Sequence, residues 1–235
     1  MNRSVLITGG NRGIGLAIAE AFLKAGDRVA VAQRGSGPSL TGTLAVRCDV
    51  TDAEQIDAAF RTVEAEHGPV EILVSNAGVT YSAPLATMTE EQFTSVVDTN
   101  LTGAYRVARR ASRGMVRARS GRMIFVSSVL GTAGRQGAGN YAASKAGLIG
   151  LARSIAREYA GYGITANLVS PGLVRTTMID DMPDAMLEEL LSRTFLKRPA
   201  EPEEVAATVV WLAEEESRYI TGAEIPVDGG LGLGA

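Results

Sequence analysis

Val5-Leu-Ile-Thr8-Gly-Gly-Asn-Arg-Gly-Ile-Gly15 is the stretch whose reading decides the fold. An apolar run ending at Thr8 reads as a buried strand, and residues 13–25, closed by Gly26, read as the helix that follows it. Between them the glycines at 9, 13 and 15 are spaced G-x-x-x-G-x-G rather than G-x-G-x-x-G. Glycine suits such a turn because it reaches positive φ without strain and lets the backbone approach a pyrophosphate with no Cβ in the way. A helix that begins at the end of the turn aims its first N–H groups at the anion. Gly9, Asn11, Arg12, Gly13, Ile14 and Gly15 are therefore the candidate phosphate loop of a dinucleotide site.

Outward from this loop, strand-like and helix-like segments alternate, the pattern of a parallel sheet covered by helices. Residues 28–34 and 43–50 read as the second and third strands, joined by only residues 35–42, with Pro38 among them. A parallel crossover normally needs a dozen or more residues, so the helix here is expected to be lost or reduced to a turn. Next come a helix at 52–67 ended by Gly68-Pro69 and a strand at 70–75. A mostly helical span at 89–118 is expected to break near Thr102-Gly103, and a strand follows at 123–127. A helix running to about 160 precedes a strand at 165–170 ended by Pro171-Gly172. Residues 178–195, with Pro183 and three methionines, read as helical but mobile, a lid at about 175–198. A firm helix at 203–213 and a short strand at 223–227 complete the pattern. No repeat, low-complexity tract or linker interrupts it. The expected fold is α/β: a single Rossmann-type, doubly wound parallel sheet of about seven strands with helices on both faces, in one domain spanning 1–235.

At the end of the second strand, where NAD-binding proteins present a carboxylate to the adenosine ribose, the residues are Gln33 and Arg34. Guanidinium groups bind phosphate through paired hydrogen bonds, so Arg34 with Arg12 suits the 2′-phosphate of NADP(H).

Further on, Gly139-Asn-Tyr-Ala-Ala-Ser-Lys-Ala-Gly-Leu-Ile-Gly150 places Tyr141 and Lys145 four residues apart, on one face of a helix. An ammonium near a phenol favours phenolate and is expected to draw the tyrosine pKa from about 10 toward neutrality. A tyrosine and a lysine at this spacing are common on ordinary helices. What gives the pair weight is Ser128, thirteen residues before Tyr141, at the end of Met123-Ile-Phe-Val-Ser-Ser128. Open α/β sheets place their chemistry beyond the carboxyl ends of their strands.

Composition narrows the classes. The chain has 235 residues, 46% hydrophobic and 21% charged, with a net charge of −3, as in ordinary globular proteins. No basic run suggests nucleic acid or a membrane surface, and no apolar stretch approaches the roughly 20 residues that span a bilayer. One cysteine, Cys48, forms no intrachain disulfide, and no signal peptide precedes the first strand, so the cytoplasm is the expected compartment. Cys48 is expected in the core and His67 exposed at a helix end. No Cys, His and carboxylate cluster has metal-ligand spacing, so no metal is expected.

Thr8-Gly9-x3-Gly13-x-Gly15, Asp49-Val50, Asn76-Ala77-Gly78, Asn100, Ser128, Tyr141-x3-Lys145 and Pro171-Gly172 together resemble the short-chain dehydrogenase/reductase family over essentially the whole chain. The resemblance implies that Asp49 and Val50 meet the adenine, that Asn76, Ala77 and Gly78 support the cofactor, and that Pro171, Gly172, Val174 and Thr176 hold the nicotinamide carboxamide. It also implies that Ser128 polarises a carbonyl, that Tyr141 gives it a proton, that Lys145 binds the nicotinamide ribose, and that Asn100 anchors a proton-relaying water.

Gly121-Arg-Met-Ile-Phe, Tyr141-Ala-Ala-Ser-Lys-Ala-Gly, Ile164-Thr-Ala-Asn, Ile225-Pro-Val-Asp-Gly-Gly230 and the Arg34-Gly-Ser-Gly37 loop are similar to bacterial β-ketoacyl-acyl carrier protein reductases of fatty acid synthesis, in their MabA-like branch. This finer resemblance implies acyl carrier protein as substrate carrier and a homotetramer. Tail residues 229–235 carry no charge after Asp228, which is compatible with burial on a partner subunit or with a core position. Two departures stand out: Val79-Thr-Tyr-Ser-Ala-Pro-Leu-Ala86 replaces an Arg-Asp pair, and Tyr162 stands where a second docking cation accompanies Arg119. A polyketide or small-carbonyl ketoreductase shares the same catalytic residues. A cofactor-sensing regulator on this fold has no need of Ser128, Tyr141 and Lys145 together.

Overall fold

The structure, a computed structural model, describes residues 2–35, 40–180 and 184–233. Strands β1 (Ser4–Thr8), β2 (Arg28–Gln33), β3 (Leu44–Arg47), β4 (Ile72–Ser75), β5 (Gly121–Val126), β6 (Ile164–Pro171) and β7 (Glu224–Val227) form one sheet in the order β3-β2-β1-β4-β5-β6-β7. Every pairing is parallel. The helices are α1 (Gly13–Lys24), α2 (Ala53–His67), α3 (Glu90–Val97), α4 (Gly103–Ala118), α5 (Leu130–Ala133), α6 (Gly139–Tyr159), α7 (Thr177–Asp180), α8 (Asp184–Arg193) and α9 (Pro202–Ala213).

Strand residues alternate between two cores, as a sheet buried on both faces requires. Val5, Ile7, Val29, Val31 and Ile124 pack with Ile18 and Phe22 of α1 and Val205 and Val209 of α9. Their neighbours Leu6, Ala30, Met123 and Phe125 face the other way, onto Phe60 of α2, Val107 of α4 and Leu148 of α6. Each large side chain so buried contributes about 1.5–3 kcal/mol.

The expected α/β sheet is present, with local differences that have physical causes. Strand β5 starts at Gly121, two residues early, because Gly121 and Arg122 already pair with Ile164 and Thr165 of β6; a Cβ on Gly121 would sit 2.5 Å from Met115 Sδ, so glycine there lets α4 pack closely. The helical span at 89–118 is interrupted where expected, just before Gly103, although the chain stays helical. A π turn (Asp98–Thr102) joins α3 directly to α4, and Gly103 is needed for close approach, since a Cβ would lie 2.8 Å from Val50 Cγ2. His67, expected exposed, is half-buried as the last residue of α2, and burial lowers its pKa.

Between β2 and β3, described residues 40–43 form a turn in which Thr43 N–H donates to Leu40 O. Ser36, Gly37 and Pro38 of that connection, Met182 and Pro183 of the expected lid, and the last two residues of the tail lie outside the described residues.

Candidate active site

The strand order reverses between β1 and β4, and open α/β sheets bind ligands at such a switch point. A cleft of about 660 Å³ opens there, above the carboxyl ends of the strands. It is floored by the glycine turn. Gly9 and Gly13 adopt φ values of +68° and +52°, and a Cβ on Gly15 would fall 2.2 Å from Gly9 O. The turn is pinned on both sides. Gly9 N–H donates to Ala32 O of β2, and Asn76 Nδ2 donates to the Thr8 and Gly9 carbonyls at 3.1 and 3.0 Å. In return Thr8 Oγ1 accepts the Asn76 and Ala77 N–H groups, each at 3.0 Å.

No side chain caps the N-terminus of α1, so its first N–H groups face the cleft without a side-chain acceptor. A turn that admits no Cβ, followed by an uncapped helix start, fits a pyrophosphate. A nicotinamide dinucleotide therefore suits this cleft.

Arg12 and Arg34 are both exposed, both line the cleft, and neither makes an ion pair among the described residues. Asp49 Oδ1 accepts from Thr51 N–H and Thr51 Oγ1 at 2.9 and 2.7 Å. These bonds, with the Arg34 charge, hold the Asp49 carboxyl below its usual pKa. Cys48 is buried in the cleft wall, where burial and the nearby Asp49 and Asp52 push its thiol up to about 11, so it stays protonated and unreactive.

At the other end, Ser128 lies two residues beyond β5, and its Oγ accepts from Leu130 N–H at 3.2 Å. Its hydroxyl acts on the Tyr141 phenol, favouring the phenolate against the effect of burial. Lys145 is fully enclosed; its Nζ donates to Val126 O at 2.7 Å and lies 5.6 Å from the centre of the Tyr141 ring. Burial lowers its pKa to about 8.

The expectation that Lys145 draws the Tyr141 phenol toward neutrality is not what the structure shows. Burial raises the phenol pKa, and the opposing influences are the Ser128 hydroxyl and the charge of Arg135. The physical reason is placement: the ammonium is tied to a strand carbonyl and sits against the ring face rather than at the hydroxyl.

Of the residues singled out in the sequence, Gly9, Asn11, Arg12, Gly13, Ile14, Gly15, Arg34, Asp49, Val50, Asn76, Ala77, Gly78, Ser128, Tyr141, Lys145, Pro171, Gly172, Val174 and Thr176 all line this one cleft. Asn100 stands behind its wall, in the π turn. Its side chain accepts from Val79 N–H at 2.8 Å and donates to Val79 O and Ser144 Oγ at 2.9 and 3.1 Å. It thereby holds the loop after β4 against α6. Pi turns recur at functional sites, and this one presents Thr99 to the cleft.

Sequence reading missed the supporting hydroxyls. Ser144 Oγ links Asn100 to Tyr141 O, and Ser127 Oγ donates to Lys145 O at 3.1 Å, joining β5 to α6. A small hydroxyl beside each motif residue is the only signal, and it is too common to be read alone. Near the cleft mouth, α7 supplies Thr177 and Ile179, while α8 carries no buried residue.

A family model described as Enoyl-(Acyl carrier protein) reductase matches residues 9–232. The 3-oxoacyl-[acyl-carrier-protein] reductase MabA of Mycobacterium tuberculosis (strain ATCC 25618 / H37Rv) is 53% identical over 234 residues, which cover 100% of this chain and 94% of that protein. The 3-oxoacyl-[acyl-carrier-protein] reductases FabG of Vibrio harveyi and of Staphylococcus aureus (strain N315) are 40% and 38% identical. These matches cover 96% of this chain and of the Vibrio protein, and 98% of this chain and of the Staphylococcus protein. With one parallel sheet, one glycine-floored cleft and full-length matches of this strength, the chain belongs to the short-chain dehydrogenase/reductase family.

Proposed function

We propose that this protein is an NADPH-dependent 3-oxoacyl-[acyl-carrier-protein] reductase of fatty acid synthesis. The observation that carries the reading is the convergence of Ser128, Tyr141 and Lys145 on one end of a dinucleotide-shaped cleft, in a chain 53% identical to a reductase of that name. A nicotinamide cofactor bound there supplies the hydride. The protein's own groups do the rest: the Ser128 hydroxyl hydrogen-bonds the substrate carbonyl oxygen, and the Tyr141 phenol donates its proton to that oxygen as charge develops. Lys145 holds the nicotinamide ribose, and Asn100 keeps the loop above β4 in place.

Residues 175–198 serve as a lid over the acyl chain, a role supported by Thr177 and Ile179 in the cleft wall. The protein acts in the cytoplasm as a homotetramer, which would cover the exposed Tyr105, Trp211 and Leu233. Among the described residues no helix is long and apolar enough to cross a membrane.

The test compares NADPH oxidation with acetoacetyl groups on acyl carrier protein, on coenzyme A and as simple ketones, with a crotonyl thioester as the carbon–carbon double-bond control. Reduction of the crotonyl thioester alone, or of simple ketones in preference to thioesters, would overturn the reading.

NADP preference is assigned to the two uncommitted cations at the adenosine end. Arg34→Asp replaces a phosphate-binding guanidinium by a carboxylate suited to a ribose diol. The ratio of kcat/KM for NADPH over NADH should fall to within an order of magnitude of one, or invert. An unmoved ratio would leave the preference on Arg12 alone.

Carrier docking is assigned to Arg119, exposed at the end of α4 with a left-handed φ of 53°. Its guanidinium lies 5.4 Å from the centre of the Tyr162 ring and donates to Gly161 O at 2.8 Å, so the charge is held in one place although its companion is uncharged. Rim charges act on encounter and are screened over about 8 Å at physiological salt. Arg119→Glu should lower kcat/KM for carrier-bound acetoacetate at low salt, with little change for acetoacetyl-coenzyme A. Equal loss on both would make the arginine structural.

A further inference from the structure

Tyr141 is the third residue of α6, and the first N–H groups of a helix have no acceptor within it. Ala138, just before the helix, offers no side-chain cap, and the loop leading to it bends at two glycines of positive φ, Gly134 (+68°) and Gly137 (+75°). A reacting group in such a turn depends for its position on whatever anchors the turn from outside.

That anchor is Asn140. It is fully buried and uses both ends of its amide: Oδ1 accepts from Tyr141 N–H at 2.7 Å, and Nδ2 donates to Gln92 O of α3 at 3.1 Å. Gln92 is itself fixed. It forms a capping box with Thr89, and its Nε2 donates to Tyr81 Oη at 2.7 Å. One turn further along α6, Ser144, also fully buried, donates to Tyr141 O at 2.7 Å. The backbone of Tyr141 is thus gripped on both sides by side chains shielded from water. Asn140 does not line the cleft, so its influence on the reaction passes through Tyr141. Close packing of α6 on α3 alone needs no amide here; joining a helix-start N–H to a carbonyl of another helix needs an acceptor and a donor on one short side chain, which asparagine supplies.

We propose that Asn140 is a positioning residue for the proton transfer: it ties the first turn of α6 to α3 and so fixes where the Tyr141 phenol meets the substrate carbonyl. The role rests on the reading of Tyr141 as the acid. A displacement of about 1 Å at a reacting group costs about 10²-fold in rate, which sets the scale of the effect.

The experiment is a double-mutant cycle on the full chain: wild type, Asn140→Ala, Tyr141→Phe and the double variant, with acetoacetyl-coenzyme A and NADPH under single-turnover conditions. The NADPH dissociation constant, by fluorescence titration, is measured alongside. Asn140→Ala should lower the rate about 10- to 100-fold while leaving the NADPH dissociation constant within about threefold. Asn140→Ser, whose hydroxyl replaces one of the two bonds, should recover part of the loss, and it carries the cycle if Asn140→Ala does not fold. In the Tyr141→Phe background the same substitutions should cost less than about threefold, because no phenol is left to misplace. An asparagine that only holds the fold together would lower the rate by the same factor in both backgrounds, and that result would overturn the proposal. So would a loss below about threefold in the chain that keeps Tyr141. A loss of less than tenfold for Tyr141→Phe alone would instead overturn the reading of Tyr141 as the acid, and this role with it.

Discussion

Tyr141→Phe should lower kcat by about 10²- to 10⁴-fold while leaving the NADPH dissociation constant within about threefold, because it removes the acid and keeps the ring. The size of the effect follows from position. The half-buried Tyr141 lines the cleft together with Ser128, where a carbonyl oxygen would gain charge. Among the described residues no other titratable hydroxyl lines the cleft. Burial raises the phenol pKa, so the acid form persists through neutral pH, and ketone reduction by the wild type should fall only as the medium becomes alkaline. Single-turnover rates and NADPH fluorescence titration of the variant check both halves. A loss of less than tenfold in kcat would place the proton donor elsewhere.

Lys145→Met should do two opposite things: abolish useful turnover, by about 10²- to 10³-fold, and stabilise the fold. Lys145 is fully enclosed with a single strand carbonyl as hydrogen-bond partner, and its pKa falls to about 8 from 10.5. A lysine with a depressed folded-state pKa destabilises the native state wherever it is charged in both states. The penalty is therefore full below about 8 and fades as pH rises from there toward the unfolded value. A shift of that size corresponds to about 3 kcal/mol at pH 7, and loss of the bond to Val126 O offsets part of it. The variant should gain about 1–3 kcal/mol in denaturant unfolding at pH 7, and the gain should shrink by pH 10. A destabilised variant at pH 7 would mean that the ammonium is better solvated by its surroundings than burial alone implies.

The glycine turn, the strand alternation and the Tyr141–Lys145 pair were legible because each is local: the turn needs glycine within seven residues, and the pair needs one helical turn. Residues whose roles depend on packing across the sheet were not. The interruption before Gly103 could be read, but not the close contact of Gly103 with Val50, 53 residues earlier in sequence. Asn100 was found through family resemblance, but its bonds to Val79 and Ser144 belong to three separate segments and leave no spacing signal. The electrostatics of Tyr141 misled for a related reason. Helical spacing places a lysine on the same face as a tyrosine, but it does not say which atom the ammonium will bond, and here a carbonyl of β5 takes it.

The clamp between Thr8 and Asn76 carries a consequence for the order in which the molecule assembles. The two residues are 68 apart in sequence, and β1 pairs with β2 on one side but on the other with β4, a strand that is made much later. Closing so long a loop must precede the contacts that reward it, which slows folding of non-local parallel pairings. On a growing chain the first strand and its glycine turn emerge early and wait, with an unpaired edge, until the fourth strand arrives. The cofactor site is thus completed late in synthesis, and the early β1–α1–β2 unit is the part of the nascent chain most open to chaperones or to mispairing.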